Sequence, residues 1–275
     1  MYTALYGKKT KPDQIVRKKK PINMSSIEVQ SQAEQSKLSS VCVLIPVSSR
    51  GQNWEHVEDS FVIRMALRNA RNTSEEDMYN YTFYVGYDQG DNFFDNASTV
   101  ADMHQWFGGS MGQMHLKMVS FLNPRRKPGP IMNALSQEAY SDGCDFMYRI
   151  NDDTELLTPW TSAFIRALES FTPSYMGVVG PTCQEGNTAI LTHDFVHRGH
   201  LDLFGTHYPP ELTDWWLDDW ISSVYGPRLT LKLAHVVVRH HVISTRYGVT
   251  WENEGLLTAA LQQGRLRIEA LNKST

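Results

Sequence analysis

The 275-residue chain has no run of about 18 apolar residues, so the sequence offers no transmembrane helix. Its first residues lack the apolar segment of a secretory signal. Taken as it stands, that points to the cytoplasm; a lumenal address in the ER or Golgi is expected if the chain is a fragment whose targeting segment lies elsewhere. Cysteine is scarce. Cys42, Cys144 and Cys183 are too few for a disulfide framework and wrongly spaced for zinc, and are expected to be buried small hydrophobes. No GxxxxGK[ST] segment occurs, which excludes a P-loop phosphate cradle. There is no excess of positive charge either. Twenty-six Lys and Arg stand against 30 Asp and Glu, a net of -4, and no nucleic-acid partner is expected. No internal repeat is found.

What is present is globular composition, 41% hydrophobic and 20% charged, enough for one large α/β domain or two small ones. The charge is uneven. Residues 1–40 carry eight basic and three acidic side chains, a net of +5, leaving -9 for the rest. They read as a basic flexible tail able to touch anionic lipid or a partner through residues 17–20. An acidic body can still bind an anionic nucleotide when a divalent cation bridges the two. One pattern favours a lumen: Asn-x-Ser/Thr occurs at Asn23, Asn72, Asn80, Asn96 and Asn272.

Residues 41–45 are a continuous apolar run stopped by Pro46, as in a strand covered on both faces. Apolar residues at Val57, Phe61 and Met65 then predict an amphipathic helix. Strands are predicted at 81–85, 115–121 and 146–150, with helices at 95–107 and 131–140 between them. This β-α-β-α-β-α-β order predicts a mainly parallel, doubly wound sheet with helices on both faces. Ligands of such sheets bind beyond the carboxyl ends of the strands. The second half reads as a helix at 159–170, a short strand at 176–180, a loop-rich stretch at 181–210, a helix at 215–225 and a strand at 229–238. Residues 41–156 are therefore assigned to a nucleotide-binding half, 157–265 to an acceptor-binding half, and 266–275 to a C-terminal tail.

The sharpest local feature is Asn151-Asp152-Asp153, directly after a buried strand. Carboxylates held there suit Mg²⁺ or Mn²⁺, which accept substrate phosphates as further ligands. The same residue types also suit a turn capping the next helix. Residues 127–156 read KPGPIMNALSQEAYSDGCDFMYRINDDTEL. This segment resembles the centre of family-2-like GT-A glycosyltransferases, where a Lys/Gly turn leads into an Asn-Ala-Leu helix, an acidic-Gly turn, an apolar strand and the DxD motif. The resemblance runs from residue 41 to about 249.

That resemblance implies a GT-A fold and a transferase that moves a sugar from a nucleoside-diphosphate sugar to a hydroxyl of a glycan, lipid or protein. It puts Asp153 at the metal-coordinating DxD position and Asp152 beside it, near ribose or metal. Asn151 stands where the family usually has Asp; its amide can still bond a hydroxyl. Asp88 resembles the acid that meets the base or ribose. The exit of the first strand, with Pro46, Ser48 and Arg50, resembles the other side of the nucleotide pocket. Lys127 and Asn133 fall where the fold approaches base and diphosphate, or are a solvated charge and a helix-start residue. Asp218 and Asp219 resemble the acidic pair near the acceptor, with Asp219 favoured as base. Trp215, Trp216 and Trp220 offer faces for a sugar ring; a core helix with two solvated acids is the alternative. His240 or His241 resembles a late metal-ligating His, and strand alternation lets only one, with His240 favoured, face the rim. Arg246 is placed to reach the diphosphate as a bidentate donor. The loop bearing His193, His197, His200 and His207 reads as part of the acceptor pocket or as plain surface. The rivals are a nucleotidyltransferase on a related fold and a non-catalytic carbohydrate-binding protein.

Overall fold

The computed structural model describes residues 38–243, 246–248 and 254–274, apart from the side chains of residues 272 and 274. The chain divides into two units, Met1–Lys37 and Leu38–Thr275. Most of the expected basic tail, with Asn23, lies outside the described residues.

One eight-stranded sheet organises the second unit, in the order β3-β2-β1-β4-β7-β6-β8-β5. Its strands are β1 (Ser40–Val47), β2 (Asn80–Asp88), β3 (His115–Phe121), β4 (Phe146–Arg149), β5 (Thr154–Leu156), β6 (Val178–Cys183), β7 (Asp194–His197) and β8 (Thr230–His240). The apolar run of β1 exists because both of its faces are covered. Val41, Val43, Ile45 and Val47 enter one core, and Cys42 and Leu44 enter the other. β4 follows the same period of two, with Phe146 and Tyr148 on the first side and Met147 on the second.

Among the described residues a short 3-10 turn (Val57–Asp59) precedes seven helices. The first, α1, is π-wound over Val62–Leu67 and α-helical over Arg68–Thr73. Then come α2 (Ala97–Ser110), α3 (Pro128–Ser141), α4 (Thr161–Glu169), α5 (Gly199–Phe204), α6 (Leu217–Val224) and α7 (Glu254–Ser274). α1, α2 and α4 pack on the first core, and α3, α5, α6 and α7 on the second. The expected α/β class with helices on both faces therefore holds. No helix among the described residues is long and apolar enough to cross a membrane.

Three details refine the expectation. The β1–β4 half is parallel, but β7 runs antiparallel to β4 and β6, and β8 antiparallel to β5. The stretch at 181–210 is not all loop, since it contains the end of β6 and all of β7 and α5. Residues 266–274 continue α7, and Ile268 is buried, so a helix crosses the expected tail boundary. Cysteine is a further correction. Cys42 and Cys144 form a disulfide from β1 to the turn before β4, and only Cys183 is a free buried thiol.

Close backbone approach locks the two halves together. Gly129, at the start of α3, donates its N–H to the Thr213 carbonyl at 2.8 Å. A Cβ at Gly129 would sit 2.7 Å from the Leu212 carbonyl oxygen, so only glycine permits the approach. It holds the segment that leads into α6 beside the sheet rim.

Candidate active site

The carboxyl ends of β1 and β4, the start of α6 and the end of β8 enclose a cleft of about 310 Å³. Its walls include Pro46, Arg149, Asn151, Asp152, Asp153, Trp215, Trp216, Asp218, Asp219, His240, Arg246 and Tyr247. Residues far apart in sequence thus converge where the topology places a ligand.

The acidic turn after β4 is buried, with Asp152 1% and Asp153 4% exposed. β8 reaches it because its antiparallel register pairs His240 with Thr154. His240 Nε2 lies 3.1 Å from Asp153 Oδ1 and 3.1 Å from Asn151 Nδ2. Burial works to raise the Asp153 carboxyl, yet the His240 bond and the charges of His240 and Arg246 together hold it below the ordinary carboxylate range. Burial lifts its neighbour Asp152 to about 7, against the opposing charge of Arg246. Asp152 Oδ1 is ion-paired with Arg246, while its Oδ2 is buried without a hydrogen-bond partner among the described residues. The Arg246 guanidinium also lies 4.9 Å from the ring centre of Phe61, just before the π turn of α1.

Asp153 and His240 supply a hard oxygen and an imidazole nitrogen at one point, and Asp152 Oδ2, which is buried without a hydrogen bond among the described residues, is a third donor in the same turn. These donor types suit Mn²⁺ or Mg²⁺. No ready-made group of three or more His, Cys, Asp or Glu is assembled for a metal among the described residues. His241 does not fit: its Nε2 faces Glu155 Oε2 at 3.2 Å, outside the cleft lining. Strand alternation explains why the two rings face different partners.

The wall at the exits of β1 and β2 is built from side chains that hold one another. Asp88 is buried; its Oδ1 accepts from Asn123 Nδ2 at 2.8 Å, and its Oδ2 lies 3.7 Å from Arg50. Arg50 also donates to the Arg246 carbonyl, tying the exit of β1 to the 246–248 segment. Tyr247 fastens the same segment by donating its hydroxyl to the Val47 carbonyl at 2.8 Å. Ser48 is buried and turns toward Asp91, leaving Pro46 as the expected β1-exit residue that lines the cleft. Lys127 pairs with Asp214 at 2.5 Å rather than standing in solvent. Asn133 does not reach the cleft lining: its side chain brackets the backbone of Tyr208, donating to the carbonyl at 2.9 Å and accepting the N–H at 2.8 Å.

The two acids of α6 differ sharply. Asp218 accepts from Arg149 Nη2 at 2.5 Å. Asp219 lines the same cleft, half-buried, with no side-chain partner among the described residues, and burial raises its carboxyl above the ordinary range. Trp215 and Trp216 line the cleft. Trp216 has a left-handed backbone (φ 71°), and its indole N–H is buried without a partner among the described residues. Trp220 is 1% exposed and packs against Phe204 and His200 in the second core, away from the cleft lining.

Arg149 is a functional neighbour that the sequence reading missed. It is 2% exposed, a charge inside an apolar strand. The antiparallel register sets it opposite Asp194. Its Nε lies 3.2 Å from Asp194 and donates to the Tyr208 hydroxyl at 2.8 Å. Asp194 also accepts from His207 at 2.6 Å and from Tyr208 at 2.6 Å. The available signal was the charge itself, because a fully buried Arg requires paired acids. The loop histidines are accounted for in the same way. His193 bonds Thr154 at 2.8 Å, and His200 bonds the Tyr225 hydroxyl and the His207 carbonyl. They brace the fold; from this loop Asn187 and Ile190 line the cleft.

No family model and no curated protein matches the chain. Solved structures similar to it include S. aureus TarS residues 1–349, at 12% identity and a TM-score of 0.49, covering 73% of this chain and 60% of that one. A second S. aureus TarS structure matches at the same identity and score, over 73% and 36% of the two chains. A third, of residues 1–349 in complex with UDP, matches at 12% identity and 0.47, over 82% and 65%. The chain thus spans less than two thirds of the length of each.

Proposed function

We propose that the chain transfers a sugar from a nucleoside-diphosphate sugar to a hydroxyl group of a glycan, lipid or protein. The observation that carries this reading is the opening, into one cleft, of the acidic turn after β4 and the two acids that begin α6. Asp219 takes the acceptor proton. The acceptor oxygen then forms a bond to the sugar's anomeric carbon as the bond from that carbon to the diphosphate breaks, and the electron pair leaves with the diphosphate. A bound Mn²⁺ or Mg²⁺ supplies neutralisation of that leaving charge. Asp153 and His240, with Asp152, are the residues that would hold it. Arg246 sits at the same wall as a second source of positive charge. Arg50 and Asp88 form the nucleoside corner, and Trp215 and Trp216 offer apolar faces to the acceptor. Ser49 gives both its backbone N–H and its hydroxyl to Asp91. That weighs against a nucleotidyltransferase, whose first-strand loop needs such donors for phosphate.

The test is Asp219→Asn. Turnover is expected to fall by about 10²–10⁴-fold, the usual loss of a general base, while nucleotide-sugar affinity stays near that of the parent. Asp218→Asn should act chiefly on acceptor KM. Undiminished turnover in Asp219→Asn would sink the assignment of the base.

A further inference from the structure

Two features of the molecule are unused by the cleft, and both belong to one kind of compartment. The first is the Cys42–Cys144 disulfide, which joins residues 102 apart in sequence. Thiols of reducing compartments stay reduced, so a structural disulfide marks oxidising surroundings. The second is the set of Asn-x-Ser/Thr sites. Asn72, Asn80 and Asn96 are all exposed.

We propose that the chain is N-glycosylated at Asn72 and Asn96, in the oxidising compartment that closes the Cys42–Cys144 bond. A glycan on asparagine replaces one Nδ2 hydrogen and extends into solvent. The folded chain tolerates it where Nδ2 is exposed and not committed to a native bond. Asn72, in the last turn of α1, has no side-chain partner among the described residues. Asn96 caps α2 with its Oδ1, which accepts from the Ser98 N–H at 2.9 Å and from the Ser98 hydroxyl at 2.8 Å. Its Nδ2 is left without a partner among the described residues. Ser98 is also the hydroxyl residue that completes the site, so the cap and the acceptor motif use opposite ends of one amide. Asn80 is left out because its Nδ2 donates to the Leu38 carbonyl at 3.3 Å. Neither Asn72 nor Asn96 lines the cleft, so a glycan on either leaves it open. In the modification itself, Nδ2 bonds the anomeric carbon of a lipid-diphosphate-linked oligosaccharide. The bond from that carbon to the diphosphate breaks, the electron pair leaves with the lipid diphosphate, and the amide proton passes to the glycosylating enzyme.

The test uses the full chain recovered from the cells that make it. Free thiols are alkylated before and after reduction. The chain is then treated with a peptide-N-glycosidase in heavy-oxygen water, and its peptides are weighed. The expected result is Cys183 as the one thiol alkylated before reduction, with Asn72 and Asn96 both converted to isotope-labelled Asp. Asn72→Gln and Asn96→Gln should each remove one glycan's mass from the intact chain. Three free thiols overturn the proposal. So does an oxidised chain in which both asparagines are bare, since it separates the disulfide from glycosylation.

Discussion

Arg149→Met removes a buried cation of nearly matching length and leaves its acids in place. Asp194 is 0% exposed and Arg149 2%, so both are inside the fold. The variant loses the 3.2 Å pairing with Asp194, the 2.8 Å bond to Tyr208 and the 2.5 Å bond to Asp218. Removing one member of a buried ion pair typically costs about 3–5 kcal/mol, because the other charge stays desolvated. Here His207 and Tyr208 still bond Asp194, which puts the expected loss near the lower bound, about 3 kcal/mol. The pH dependence has a definite sign. Burial pushes the Asp194 carboxyl up, but His207 and Arg149 together hold it well below the ordinary range. A carboxylate with a depressed folded pKa stabilises fully above its unfolded value of about 3.9, and that stability is lost as pH falls through the folded pKa. Without Arg149 the depression shrinks, so the gap between parent and variant is widest near neutrality and narrows in acid. Urea unfolding of both proteins at pH 7 and pH 4 measures it. A variant within about 1 kcal/mol of the parent at pH 7, where surface substitutions usually fall, would refute the pairing as a stabilising element; so would a gap that widens in acid.

Two further outcomes are expected. Reducing the Cys42–Cys144 bond, or replacing both residues by Ala, should lower unfolding stability by about 3–5 kcal/mol, the entropy of a loop of roughly 100 residues; equal urea midpoints with and without reductant would contradict it. Asp153→Ala and His240→Ala should each weaken Mn²⁺ binding at least about tenfold, the loss that even an outer-shell partner causes, whereas His241→Ala should leave it unchanged; titration of the protein with Mn²⁺ distinguishes them, and equal effects of the two histidines would overturn the division between them.

The first half of the fold was legible because its signals are local. The apolar run of β1, the polar ends of β2 and β4, and the Pro-Gly entry to α3 each carry their own physical meaning in a few residues. The second half was less legible because its key elements are short and paired at long range. β7 is four residues, Asp194–His197, and presents an acid and two histidine neighbours to a reader looking for an apolar strand. Its meaning appears only when it lies antiparallel to β4 and Asp194 meets Arg149. The disulfide was invisible for a similar reason, since 102 residues separate partners that the parallel pairing of β1 with β4 brings to one edge. Around the cleft, Asp152, Asp153, Asp218, Asp219, His240 and His241 stood out as residue types suited to a metal or a base. What the sequence could not reveal is which partner each had. Arg246 sits on Asp152, Arg149 on Asp218 and Glu155 on His241.

Those partners bear on how one cleft would divide two adjacent acids. Neighbouring residues on a helix point about 100° apart, so Asp218 and Asp219 cannot share an environment even at the start of α6. Asp218 turns toward the buried Arg149, which the sheet holds rigidly between Asp194 and Tyr208. An acid clamped by a permanent cation is a poor proton acceptor, because neutralising it strands the charge of its partner. Burial raises both carboxyls, but Asp219 has no cationic partner among the described residues, so accepting a proton there strands no charge. On the proposed reading, Asp218 therefore positions the start of α6 and the acceptor, and Asp219 receives the proton. The buried network of Arg149, Asp194, His207 and Tyr208 has no direct part in that transfer. It fixes which of the two carboxylates remains available to perform it.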